Sequence, residues 1–433
     1  MTANRIIMPG VCGMSALLLA ALIVVEAPTK RATACGGFFC QARPIIQASE
    51  QIIFRQDGNR ITAIVQIQYQ GTAEDFSWVV PVPGIPNLSV APGILFQTLD
   101  PLTRPQFTLE INGEPCPQLG FPSAAPEATD PPVSTFDEGV TILSEQAVGP
   151  FDVQIVTSED ADAMANWLEA NNYDLTDRGG ELIAPYVEEG MNFVALRLRQ
   201  DRGVGDIEPL VMEYEAECPM IPIRLTAVAT QPNLGIFVWL LGPARAVPIN
   251  YLHVTPNYAR LNWYTGPFNA YASYQNLITV AMDEVGGQGF ATDYAGRDAS
   301  LLDSVLTQPE RLREEAARLR TVQDAADAVA QMINGFNFPG SKVLEILRRR
   351  LPLPEGVAER TYGDSLELAR VFDSATLQAA LSGTLDELES DLVEPLETAL
   401  AVFDGDPYLT RMFTTLPAEE MTLDPQFGFN TDL

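Results

Sequence analysis

Ile61–Tyr69 reads ITAIVQIQY, and Ile236–Leu241 reads IFVWLL. The first stretch alternates apolar and polar residues, the period of a strand with one face buried. The second is apolar at every position, as in a strand covered on both faces, so it is expected at the centre of a sheet. Around them the same pattern recurs. Gly71 ends the first strand, and Phe76–Val82 (FSWVVPV) forms the next, stopped by prolines 81, 83 and 86. Further strands are expected at Phe107–Asn112, Val140–Leu143, Asp152–Val156, Asn192–Arg199, Leu210–Glu215, Ile223–Ala229, Gly235–Leu241 and Ala246–His253. Residues 117–135, rich in Pro, Ala and Ser, read as an exposed loop. One helix interrupts the strands. Ser158 caps it, Glu159 and Asp160 suit its positive end, Ala161, Met164, Trp167 and Leu168 share a face, and Asn171 and Asn172 end it.

From about Ser300 the period changes to that of helices. Pro309–Arg320 and Thr321–Ile333 are two. Ser341 caps a third, ending in Arg348-Arg349-Arg350, and Thr384-Leu385-Asp386-Glu387 reads as the capping box of a fourth, kinked by Pro395. The expected class is α+β. A β-rich body with an inserted helix occupies 35–299, a mainly helical region 300–405, and an extended C-terminal tail 406–433.

Residues 1–34 read as a cleavable signal peptide. Arg5 precedes an apolar run, Val11–Val25, too short to span a bilayer comfortably, and Ala32-Thr33-Ala34 has the small-x-small form of a cleavage site. Cleavage after Ala34 would leave Cys35 as the N-terminus. A lipoprotein signal fits less well, because Glu26, Lys30 and Arg31 separate the apolar run from Cys35. No second apolar segment anchors the C-terminus, so the expected location is extracytoplasmic: periplasm, cell surface or secreted. The formal charge of the whole chain is −31, from 57 acidic and 26 basic residues. Such a surface repels nucleic acid and anionic headgroups. Four cysteines remain after cleavage. An even number in an exported chain suggests two disulfides, and the pairing Cys35–Cys40 with Cys116–Cys218 is expected among the three connectivities.

The strongest functional statements are exclusions. His253 is the only histidine, so one chain cannot build a two-histidine zinc site, and no serine elbow supplies a nucleophile for a histidine base. Lys342 is the only lysine beyond the signal. Gly335–Lys342 (GFNFPGSK) resembles a phosphate loop with its last two residues exchanged, and follows a helix rather than a strand; it reads as a helix–helix turn. Gly286-Gly287-Gln288-Gly289 reads as a loop. Nothing calls for a cofactor or a metal ion. Carboxylate chemistry on a glycan needs neither histidine nor metal, but 57 acids give no pair by inspection. Aromatic residues cluster in Tyr251–Tyr274. Tyr258, Trp263, Tyr264, Tyr271 and Tyr274, with Phe268, are candidates for stacking on a sugar or peptide, against the plainer reading of core and rim packing.

Cys35–Cys40 (CGGFFC), Phe76–Pro83 (FSWVVPVP), Trp167-Leu168 with Asn172-Tyr173, and YLTRMFTTLPAEEMTLDPQF from Tyr408 together resemble the bacterial family catalogued as domain of unknown function 2330. The resemblance runs over roughly 35–430. It implies an exported, envelope-associated protein and carries over no catalytic residue. Three functions are compatible, in this order. The first is a non-enzymatic binding or structural module for an envelope protein or extracellular polymer. The second is a carboxylate-dependent hydrolase acting on extracellular glycan. The third is a calcium-stabilised module.

Overall fold

A computed structural model of the chain describes residues 46–70, 76–108, 140–171, 173, 179–199, 207–228, 230–263, 270–335, 337–405 and 407–432. The signal segment, Cys35, Cys40, Cys116, the 117–135 loop, Tyr264 and Phe268 lie outside these residues, as do positions 109–112 of the strand expected from Phe107. The strands are β1 (Ile46–Asp57), β2 (Arg60–Gln70), β3 (Ser77–Val82), β4 (Asn87–Val90), β5 (Thr141–Val148), β6 (Phe151–Thr157), β7 (Asn192–Leu198), β8 (Leu210–Glu215), β9 (Thr230–Gly242), β10 (Arg245–Pro248), β11 (Leu252–Val254), β12 (Gly289–Gly296), β13 (Tyr408–Leu416) and β14 (Phe427–Asn430). Among the described residues they form an eight-stranded sheet, β11-β12-β13-β9-β1-β2-β8-β4, a four-stranded sheet, β3-β7-β6-β5, and the pair β10-β14. β1 and β9 run parallel, as do β11 and β12, and the other pairs are antiparallel. The tight β1–β2 turn uses Gly58 at φ 61°, a conformation other L-residues rarely adopt.

The helices are α1 (Ile94–Thr103), α2 (Ala161–Ala170), α3 (Gly179–Glu188), α4 (Ile223–Thr226), α5 (Ala270–Asp283), α6 (Ala299–Leu306), α7 (Gln308–Arg320), α8 (Ala325–Asn334), α9 (Gly340–Arg350), α10 (Ser365–Val371), α11 (Ser374–Leu388) and α12 (Glu394–Ala399). Three apolar cores separate four layers. The first lies between the C-terminal helices, with α1, and one face of the large sheet; the second lies between the two sheets; the third lies between the small sheet and α2 with α3. This explains the uninterrupted apolar run on β9. Phe237, Trp239 and Leu241 enter the first core, and Ile236, Val238 and Leu240 the second. β9 is central, between β13 and β1, as its composition predicts. The expected α+β architecture is what forms. No described helix is long and apolar enough to cross a membrane.

Several local expectations are corrected. Ile223–Ala229 begins with the helical turn α4, not a strand: Ile223 and Leu225 are both buried, so burial mimicked a strand's alternation. Ala246–His253 splits at Pro248 into β10 and β11, which join different sheets. Asp160, not Ser158, caps α2 through the amides of Asp162 and Ala163. Asp324 caps α8, so that helix starts after Thr321. Ser341 lies inside α9, whose N-cap is Pro339. Thr384–Glu387 is no helix start: it sits near the end of α11, where Thr384 is buried, and Asp373 caps that helix. A π-helical turn, Glu389–Val393, precedes Pro395 and absorbs its missing donor before α12. α1, α3 and α5 were not foreseen. Pro101 and Pro185 lie within the first two and resemble breaks in the sequence. The stretch after Asp406 is extended, and it supplies β13, an interior strand of the large sheet.

Candidate functional site

β13 is buried along nearly its whole length, yet carries an arginine at its centre. Leu409 and Phe413 face the helical core, and Arg411, between them, faces the same way with no solvent exposure. Its neighbours in the sheet are Trp239 of β9 and Tyr294 of β12. The β12–β13 register shifts between Thr292 and Tyr294, leaving Asp293 unpaired in the ladder. Such a bulge re-aims a side chain. Here Asp293 lies against the guanidinium, with Arg411 Nη1 3.0 Å from Asp293 Oδ2. That contact is charge to charge rather than an aligned hydrogen bond, because neither atom has a hydrogen-bond partner among the described residues. Arg411 Nη2 donates to Asp100 of α1 and, at 3.2 Å, to the Tyr271 hydroxyl of α5. The guanidinium also stacks 5.2 Å from the ring centres of both Phe237 and Trp239. Tyr274 donates its hydroxyl to Asp293 Oδ1. Beneath, Trp239 Nε1 donates to Thr103 Oγ1 at 2.8 Å, and the Thr103 hydroxyl donates to the Leu99 carbonyl at 2.8 Å.

Two carboxylates face one guanidinium in this interior. Burial raises Asp293 to about 6, opposed by the attraction of Arg411 and the Tyr274 hydrogen bond. Burial likewise pushes Tyr274 far above its usual value, and Tyr271 upward. Four of the aromatic candidates meet this network. Tyr274 is fully buried, Tyr258 stacks on it at 6.2 Å with nearly parallel rings, Tyr271 packs 6.1 Å from it, and Trp263 reaches it through Phe107. Tyr258 keeps 45% exposure. Arg104 lies 5.2 Å over the Tyr271 ring and 3.9 Å from Asp100. The cluster is therefore graded: a closed charged centre (Asp293, Arg411), an intermediate shell (Asp100, Tyr271) and an aromatic rim open at Tyr258.

A second buried cluster is fully saturated. Asp424 accepts from the Tyr186 hydroxyl at 2.9 Å, the Arg224 amide at 3.0 Å and Arg224 Nε at 2.8 Å, while Arg224 forks onto Glu189 and stacks over Tyr186. Every polar group there serves another, and the arrangement clasps the C-terminal segment to α3 and α4.

His253 sits on β11, exposed, with Nε2 2.9 Å from Thr292 Oγ1; burial and Arg245 hold its pKa down. A threonine hydroxyl is not an orienting carboxylate, so the geometry lacks a catalytic base's support. Cys218 has no disulfide partner among the described residues, its thiol is partly buried and raised by that burial, and its expected partner Cys116 lies outside the described residues. Lys342 lies in the first turn of α9 and pairs with Glu345 at 3.3 Å and Glu208 at 3.9 Å; of GFNFPGSK, the described residues before Gly340 connect α8 to α9, a helix–helix connection as expected. The GGQG stretch likewise turns the chain from α5 into β12. Among the described residues no group of three or more His, Cys, Asp or Glu side chains is disposed to hold a metal. Sequence reasoning missed Asp100, Asp293 and Arg411. The signal was present in a charged residue within each of two strand-like runs, GFATDYAG and YLTRMFTTL.

A family model described as "Uncharacterized protein conserved in bacteria (DUF2330)" matches residues 29–319. No curated protein matches, and no solved structure does.

Proposed function

We propose that this chain, which belongs to the bacterial family DUF2330 of uncharacterized proteins, is an exported binding module of the cell envelope that does no chemistry of its own. The observation carrying this reading is the grading of the Arg411 cluster. The side chains of Arg411 and Asp293 have no exposure and are engaged with each other, Asp100 and the tyrosines, so their role is to hold the site. What reaches solvent is an aromatic rim, suited to stacking rather than bond cleavage. The signal-like residues 1–34 support export, with cleavage after Ala34 and Cys35 left for a disulfide rather than a lipid; N-terminal sequencing of the exported protein would test this. For binding, a photo-cross-linker placed beside Tyr258 suits a chain with a single lysine beyond the signal. Capture of one specific envelope component, lost in Tyr258→Ala, is expected. Failure to retain any component would refute the reading.

A carboxylate-dependent glycan hydrolase is the second reading, favoured by Asp293 at about 6, where a carboxyl can act as an acid near neutrality. It requires the cluster to open. Turnover of an extracellular glycan, abolished in Asp293→Asn and indifferent to chelators, would establish it in place of the first.

A further inference from the structure

The turn at residues 257–263 faces two ways. On one side Tyr258 stacks on Tyr274, and on the other Arg260 and Asn262 line an open groove of about 460 Å³ against α5. Ala272, Ser273, Asn276, Leu277 and Val280 of α5 complete its lining. Ser273 Oγ accepts from the Asn262 amide at 2.8 Å and joins the turn to the helix. Asn276 is exposed, and Val280 is 45% exposed, unusual for so apolar a side chain.

Resting on the reading of the rim as a binding surface, we infer that this groove takes a strand of neutral polysaccharide. The chemistry of the walls carries the inference. Carboxamide, hydroxyl and guanidinium groups donate to and accept from sugar hydroxyls, while Leu277 and Val280 offer a surface to the C–H face of a ring. Charge selects the neutral class. In a chain with 57 acidic residues, none of those described lines this groove. Its single cation among the described residues, Arg260, lies 3.6 Å from Glu284, so the positive charge at the groove's edge is balanced by a neighbouring acid and the site has no net charge to select an anionic polymer. The chain as a whole, with a formal net charge of −31, repels polyanions.

The test is calorimetric titration of the chain from Cys35 onward with soluble chitin and cellulose oligomers, with polygalacturonate as the anionic control. Two variants are compared, Tyr258→Ala on the rim and Asn276→Ala/Val280→Glu in the groove. The groove residues are on the surface, so an unchanged melting curve is expected and certifies folding. The inference requires binding of a neutral oligomer and its weakening by at least about tenfold in the groove variant, the equivalent of one or two lost hydrogen bonds with their apolar contact. If a neutral oligomer binds and only Tyr258→Ala weakens it, the groove assignment is overturned and the rim stands. Preferential binding of polygalacturonate overturns the neutral class. No binding of any oligomer, with an envelope component still captured in a Tyr258-dependent way, overturns the inference alone; loss of both overturns the binding reading as well.

Discussion

Arg411 holds a full positive charge where no water reaches it, and a buried charge is tolerable only when opposed. Its two carboxylates and two aromatic faces supply that opposition. Removing the cation alone strands Asp293, so Arg411→Met should destabilise by about 3–5 kcal/mol in urea unfolding. Arg411→Met with Asp293→Asn should cost less than the sum of the single changes, because the two share one interaction. Asp293 also sets a pH dependence of uncommon sign. Its folded-state pKa, about 6, lies above the ordinary 3.8, so the folded state binds more protons than the unfolded one between these values. The contribution is fully present below pH 3.8 and is lost as pH rises through 6, amounting to about 3 kcal/mol. Buried Asp424 is raised in the same direction, against its hydrogen bonds from Arg224. Unfolding measured across pH 4–7 should therefore show a shallower decline in Asp293→Asn than in the natural chain. An identical slope would remove Asp293 from this role.

At the scale of elements, the helix starts are decided by which oxygen reaches the free amides, not by where a favourable residue stands in sequence. Asp324 accepts from the Ala326 amide at 2.9 Å and Ser341 caps nothing. Thermal melts should thus find Asp324→Ala costing about 1 kcal/mol and Ser341→Ala almost nothing. Thr384 illustrates the converse. Its hydroxyl is buried within α11 and finds no partner among the described residues. Thr384→Val keeps the shape and deletes the stranded group, so it should raise stability by up to about 1 kcal/mol. A loss instead would mean that the hydroxyl finds a partner in solution. The bulge at Asp293 belongs to this scale too, because one extra residue in β12 turns an acid toward Arg411.

For the whole molecule, the decisive element is β13. It fills the place between β9 and β12, and so ties the C-terminal residues to strands about 170 and about 120 positions earlier. A fragment ending at Arg320 keeps most of the strands yet leaves β9 and β12 with open edges and half of the first core missing. It should neither unfold cooperatively in urea nor stay soluble, whereas the chain from Cys35 should do both. The sequence by itself determined the class, the positions of most strands, the burial of β9 on both faces and the aromatic cluster at 251–274. Each is written in local periodicity, which responds to whether a side chain meets core or water. It also held the clues to a buried charge in two strands, without their pairing. Only the tertiary structure decided that Asp100 and Arg411, 311 residues apart, meet, and that a bulge brings Asp293 to them. Strand order and register are long-range properties, and a single strand's pattern is equally compatible with any neighbour that buries the same face. The prolines of α1 and α3 concealed helices for a related reason: packing against a sheet outweighs a local propensity of a few kcal/mol.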